Sequence, residues 1–177
     1  MSVVRGSDQV ATTESVAELD AMPAEKATAA LASLFEGASR FLGRLVAERP
    51  FGSWPALFRR AESIALAMPE DEQIELIDAH PRLGAPPATV STMSFIEQGY
   101  DREAADSNDE LGRLNDAYEA RFGFRYCVHV AGRPRAELVT EMRAALRADR
   151  EAERERALRA VVAIAADRQR KLSEATP

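Results

Sequence analysis

The chain is poor in the residues that build disulfide frameworks and metal sites: 177 residues include one cysteine and two histidines. A lone Cys127 cannot form an internal disulfide, and it carries no Cys–His signature, so it reads as a small buried hydrophobe. His80 and His129 lie far apart in sequence, and no His-Glu-x-x-His helix is present, which argues against a metal centre. Basic charge is also short. Lys and Arg number 23 against 29 Asp and Glu, a net charge of −6, and a nucleic-acid surface would need the opposite balance. No apolar run approaches the roughly 20 residues of a membrane span. The opening Met1-Ser2-Val3-Val4-Arg5-Gly6-Ser7-Asp8 lacks the apolar stretch of a secretory leader, and Glu174-Ala175-Thr176-Pro177 is not a peroxisomal address. The expectation is a cytoplasmic protein with neither nucleic-acid nor membrane partners.

What is present is helical periodicity. Hydrophobic residues make up 46% of the chain and charged residues 29%, an ordinary globular balance for one domain. Residues 1–19 show no sustained pattern and read as a flexible tail; residues 20–174 read as one helical domain. Asp20 is placed to cap a helix with Pro23 in its first turn and Ala27, Ala30, Leu31 and Leu34 on one face. A second runs through Phe41, Leu42, Leu45 and Val46 to Pro50. Ser53 caps a third, carrying Leu57, Phe58, Ala61, Ile64, Ala65 and Met68, with Trp54 as a packing anchor. Pro69-Glu70-Asp71-Glu72 starts a fourth, its acids favoured by the helix dipole. After the Pro86-Pro87 loop come a short helix from Ser94 to Gly99 and a longer one from Asn108 to Phe122. The latter turns Leu111, Leu114, Ala117, Tyr118 and Phe122 inward. Phe124 to Val130 alternates weakly, but a single strand has no partner, so it reads as an extended segment. Helices from Pro134 and from Asp149 complete an all-α fold of about seven or eight helices. The run Arg150-Glu151-Ala152-Glu153-Arg154-Glu155-Arg156 reads as a solvated helix face.

Two positions stand out chemically. His80 ends the fourth helix, because Pro81 cannot continue it, and it lies on the inward side, three residues beyond Ile77. The negative end of the helix dipole favours a protonated ring there, and such a group exchanges a proton near neutral pH. Arg168 falls close to the middle of the apolar stripe formed by Leu158, Val161, Val162, Ala165 and Leu172, whereas Arg170 points away. A guanidinium facing a core needs an anion. That anion is either one of the chain's own acids or a ligand carboxylate, which the planar fork suits.

Six blocks then occur in order: Glu48-Arg49-Pro50-Phe51; His80-Pro81-Arg82-Leu83-Gly84; Ser94-x-x-Glu97-Gln98; Leu114-Asn115-x-x-Tyr118; Arg121-Phe122-Gly123-Phe124; and Ile164-Ala165-x-x-Arg168. Together they resemble the 2-oxo-4-hydroxy-4-carboxy-5-ureidoimidazoline (OHCU) decarboxylases of urate breakdown, over about residues 25–172. The resemblance implies an all-helical fold, commonly a homodimer, that converts the small ureide OHCU to (S)-allantoin and CO2 with no cofactor and no metal. Carried over by position, His80 is the catalytic acid/base and Glu97 its acidic partner and a substrate ligand. Pro81, Ser94 and Gln98 line the site, and Arg168 binds substrate oxygens. Relatives usually have proline where Arg125 stands, and the stretch Gly99-Tyr100-Asp101-Arg102 is unusual for the family; both departures bear on the pocket wall.

The substrate's ring supplies its own electron sink, so the protein has only to orient the carboxylate, exclude water and deliver a proton to one face. Glu97 is expected to fix the His80 tautomer or hold the ureido N–H groups, and Gln98 to meet the polar ring edge. The rival reading is a helical binding or regulatory homologue that has lost activity. A degenerate relative is expected to have lost His80, Glu97 or Arg168, and all three remain.

Overall fold

A computed structural model describes residues 15–85, 91–98 and 108–175. The expectations for residues 1–14, for the Pro86-Pro87 loop and for Gly99-Tyr100-Asp101-Arg102 lie outside the described residues. Nine helices are described: α1 Val16–Ala21, α2 Ala24–Ala32, α3 Ser39–Ala47, α4 Trp54–Ala67, α5 Glu70–Asp78, α6 Thr92–Glu97, α7 Asn108–Phe122, α8 Arg135–Ala145 and α9 Arg150–Glu174. No strand occurs among the described residues. The fold is all-α, as the periodicity predicted, with α1 as one helix more.

That extra helix corrects the boundary drawn at residue 20. Ser15 and Glu18 form a reciprocal capping box that starts α1, and Val16 and Leu19 are buried against the bundle. Short helices need such help, because nucleation fixes several residues for one hydrogen bond. Asp20 is not a helix cap either. Pro23 holds that position for α2, and the Asp20 carboxylate accepts the backbone N–H groups of Phe51 and Gly52 at 2.9 and 2.8 Å. Arg49 donates to the carbonyls of Leu19 and Met22 at 3.0 and 2.6 Å. The Glu48-Arg49-Pro50-Phe51 block therefore ties α1 to the α3–α4 turn.

Ser53 and Asp149 cap α4 and α9 by side-chain hydrogen bonds to their first turns, as expected. The long α9 packs against α4 and α5, burying Ala157, Leu158, Val161, Val162, Ile164, Ala165 and Arg168 along one stripe. On α7, Leu111, Tyr118 and Phe122 are buried, but Ala117 is exposed. A methyl group contributes little to burial, so the larger side chains set the rotation of the helix. The charged run at the start of α9 is only partly solvated. Glu153 is buried, accepting from the Tyr118 hydroxyl at 3.0 Å and from Arg156 at 2.5 Å.

Arg156 belongs to a device that solves a problem of the extended segment 124–130. Its backbone groups have no sheet partner, yet most of its side chains are buried, and buried carbonyls must be satisfied. Arginines supply the missing donors. Arg156 donates to the Cys127 carbonyl at 3.0 Å while lying over the Tyr126 ring, and Arg133 donates to those of His129 and Val130 at 2.7 and 3.2 Å. The segment is thereby tied to α9 through Arg156 and to the turn that follows it through Arg133.

Candidate active site

His80 lies two residues beyond the end of α5, its N–H still bonded to the Ile77 carbonyl at 3.1 Å. Arg125 fastens that helix end. Its N–H donates to the Asp78 carboxylate at 2.8 Å, and its guanidinium donates to the carbonyls of Asp78 and His80 at 2.8 and 3.1 Å. A proline at position 125 could make none of these bonds.

The Pro81–Ala85 loop is held from two sides. Gln98, just past α6, accepts the Gly84 N–H at 2.9 Å and donates to the Arg82 carbonyl at 3.3 Å. Gly84 has a φ of +77°, a conformation that glycine adopts without steric cost. From α7, Asn115 donates to the Leu83 carbonyl at 3.0 Å, and Glu119 takes both arms of the Arg82 fork at 2.7 Å. The Gln98 amide, assigned in the sequence to a ligand's ring edge, lines the cavity and also fastens this loop. Gln98→Ala is expected to lower stability by about 1–3 kcal/mol, read as an earlier urea midpoint at unchanged slope. No loss of stability would show that the loop does not depend on this amide.

His80, Pro81, Leu83, Ser94, Glu97, Gln98, Tyr126, Cys127, Val128, Val130 and Ile164 enclose one cavity of about 290 Å³ including its mouth. All the sequence-predicted site residues meet here. Five line the cavity directly, and Arg168 stands behind two of them, with its Nη2 2.9 Å from Ser94 Oγ and 3.3 Å from Glu97 Oε2. His129 is not among the lining residues; its Nε2 is 3.5 Å from Asp167 Oδ2. Among the described residues no cluster of three or more His, Cys, Asp or Glu could hold a metal ion.

The imidazole differs from expectation in charge. His80 is 4% exposed, and its pKa falls from 6.5 to about 4. Burial is the largest cause, followed by the Arg168 charge; Glu36 and the Leu76 carbonyl oppose them. One pKa unit corresponds to about 1.4 kcal/mol, so this shift exceeds the ~1 kcal/mol that an exposed helix terminus offers a cation. The resting ring is neutral. Its Nδ1 lies 3.4 Å from the Leu76 carbonyl, whereas Nε2 is buried with no partner among the described residues. That contact favours the proton on Nδ1, which leaves Nε2 as a bare lone pair. The Leu76 carbonyl, not Glu97, orients the ring.

Glu97 is shifted the opposite way. Burial raises its carboxyl above the usual 4.5, against the charges of Arg168, His129 and Lys171. The Cys127 thiol is pushed up to about 12 by burial and then by Glu97, so it stays protonated and inert. His80 and Glu97 thus line one cavity with their pKa values shifted in opposite directions.

The anion facing Arg168 comes from the chain itself. Arg168 is 2% exposed; its Nη1 donates to the Ser33 and Leu34 carbonyls, and its Nη2 donates to Glu36 at 2.7 Å. Glu36 was missed in the sequence because it stands in the turn after α2, where no periodicity marks an inward side chain.

An all-helical scaffold with a histidine and a glutamate lining one cavity defines the class of a small-molecule enzyme. The chain matches the OHCU decarboxylase family over residues 20–170 and belongs to it. It is 34% identical over 151 residues to the uric acid degradation bifunctional protein PucL of Bacillus subtilis (strain 168), and 28% identical over 151 residues to the uric acid degradation bifunctional protein of Bacillus sp. (strain TB-90). Both alignments cover 84% of this chain and only 30% of the relative. Two solved structures share the fold at a TM-score of 0.66. One, an (S)-allantoin synthase, is 18% identical, with 90% of this chain and 54% of that one covered. The other, an OHCU decarboxylase in the presence of (S)-allantoin, is 22% identical, with 81% and 96% covered.

Proposed function

We propose that the helical domain, drawn at residues 20–174 in the sequence and begun by α1 in the structure, converts OHCU to (S)-allantoin and CO2, with His80 and Glu97 moving protons and Pro81, Ser94, Gln98 and Arg168 shaping the site. Beyond family membership, the observation that carries this reading is the unpartnered, buried Nε2 of neutral His80 in the same cavity as Glu97.

The substrate's structure dictates what the groups must do. Carbon 4 carries hydroxyl and carboxylate, so the ring double bond runs from carbon 5 to nitrogen. When the bond from carbon 4 to the carboxylate breaks, its electron pair forms a double bond to carbon 5, and the imine nitrogen takes a proton from Glu97. His80 Nε2 removes the hydroxyl proton as carbon 4 becomes a carbonyl, and returns it to one face of carbon 5. One proton is consumed overall, and Glu97 regains it from solvent. Arg168 stabilises the carboxylate that Glu97 leaves behind, a charge that develops only during reaction. The chemistry needs no cofactor, because the ring accepts the electrons. On the family resemblance, the working unit is a cytoplasmic homodimer. Among the described residues no helix is long and apolar enough to cross a membrane.

The test is consumption of freshly generated OHCU faster than its spontaneous decay, with chiral detection of (S)-allantoin. Decay at the spontaneous rate to racemic product would favour an inactive homologue. The pH profile follows from the two shifts. Activity requires neutral His80, so it falls as pH drops towards about 4. It also requires protonated Glu97, so it falls on the alkaline side of that group's raised pKa. A profile that keeps rising through alkaline pH would remove Glu97 as the acid.

A further inference from the structure

The mechanism above leaves without a task Glu36, the half-buried carboxylate that meets Arg168. Glu36 lies at φ +53° in the turn between α2 and α3, followed by Gly37 at φ +76°. A glutamate in the left-handed region costs of order 1 kcal/mol and persists only where its surroundings hold it. Here they do. One oxygen, Oε1, accepts from Ser91 Oγ at 2.9 Å, Ser94 Oγ at 2.5 Å and Arg168 Nη2 at 2.7 Å. The same turn supplies the Ser33 and Leu34 carbonyls to Nη1 of Arg168 at 3.2 and 3.3 Å. Arg168 is therefore gripped by three residues of this turn, Ser33, Leu34 and Glu36, of which Glu36 supplies the only charge.

The consequence for the cavity is competition. Nη2 of Arg168 is shared between two carboxylates, with Glu36 at 2.7 Å and Glu97 at 3.3 Å. The shorter contact holds the guanidinium on the turn, and Glu97 receives only a long, shared bond. We propose, resting on the decarboxylase reading, that Glu36 is a positioning residue of this site. It anchors Arg168 and Ser94 from behind and competes for the guanidinium, so that Glu97 rests as a proton donor and not as the partner of a tight ion pair. Supporting this division, burial works against charge at Glu36, but the Arg168 charge and the bonds from Ser94, Ser91 and Arg168 outweigh it and keep its pKa below 4.5. Burial prevails at Glu97.

The charged and titratable groups around this pair are Arg168 and Lys171 from α9, His129 and Cys127 from the extended segment, and His80 after α5. Removing the Glu36 charge frees Arg168 for Glu97, which lowers the Glu97 pKa. It also removes the anion that raises the His80 pKa. Both limbs of the activity profile then move to lower pH.

Glu36→Gln keeps an oxygen for Ser94 and Arg168 but removes the charge. The expected result is a kcat about 10-fold lower near neutral pH with KM not raised, and a bell displaced as a whole to lower pH. Glu36→Asp keeps the charge on a shorter arm; it is expected to hold the bell in place while lowering kcat. A merely structural role would lower the unfolding midpoint of both variants and move neither limb. The readout independent of turnover is the carboxyl titration of Glu97 followed by 13C NMR in the wild type and in Glu36→Gln, where the midpoint is expected to fall. An unchanged Glu97 midpoint, or wild-type kcat and pH limbs in Glu36→Gln, overturns the proposal. If that variant does not fold, Glu36→Asp with an unchanged kcat overturns it. Absence of wild-type turnover defeats the decarboxylase reading instead, and the Glu97 titration still decides the role of Glu36.

Discussion

Replacing His80 by asparagine is expected to lower kcat by about 10²–10⁴-fold, the range that positioned proton transfer contributes, while the protein stays folded. Asparagine can donate its amide N–H to the Leu76 carbonyl, the contact now made by Nδ1, so the buried polar partner is not abandoned. It has no basic nitrogen to replace Nε2. The loss should therefore appear in kcat and in the enantiomeric purity of the product, since carbon 5 would be protonated from solvent on either face. KM should change little. The measurement is steady-state turnover with chiral analysis, alongside a urea unfolding curve. Stereospecific turnover at the wild-type rate in a folded His80→Asn variant would exclude this side chain from the proton transfer.

Arg168→Met is expected to have the largest effect on stability, about 3–5 kcal/mol at neutral pH, because it leaves buried Glu97 and half-buried Glu36 without their shared cation. The sign of its pH dependence is definite. In the wild type Glu36 has a lowered folded pKa, so its contribution is present above 4.5 and is lost as pH falls through the folded value. Without Arg168 both carboxyls are raised by burial, so the variant is least stable where they must ionise and recovers as they take protons. The gap between wild type and variant is therefore widest at neutral pH and narrows towards pH 4.5. Urea unfolding of both proteins at the two pH values checks this; an equal gap at both would mean that the carboxylates do not depend on the guanidinium. Activity should be lost as well, since nothing remains to stabilise ionised Glu97.

These expectations draw on two different sources. The all-α class was legible because apolar side chains recur at helical spacing, and that spacing decides which face can be buried. Ser53 and Asp149 were legible as caps, because capping satisfies N–H groups within a few residues. The same local rule failed at Asp20, whose carboxylate meets Phe51 and Gly52 across the fold. It failed again along the charged run of α9, where Glu153 turns inward to Tyr118. His80, Glu97 and Arg168 were legible as candidates: His80 by its proline stop, Arg168 by its angle on an apolar stripe, and Glu97 through the family resemblance alone.

The charge states and contacts of those groups were not legible, because desolvation and Coulomb interactions depend on distances that no local pattern encodes. By itself the sequence determined the all-α class, the helices from α2 onwards, most of the side chains that face inward along them, and which residue types are available for proton transfer. Only the tertiary structure decided that the His80 ring is neutral, that Gln98 fastens a loop, and that Glu36 shares Arg168 with Glu97. Each of these results from residues far apart in the chain being brought together in the protein interior, where a neighbour's charge acts with far greater force than it does in solvent.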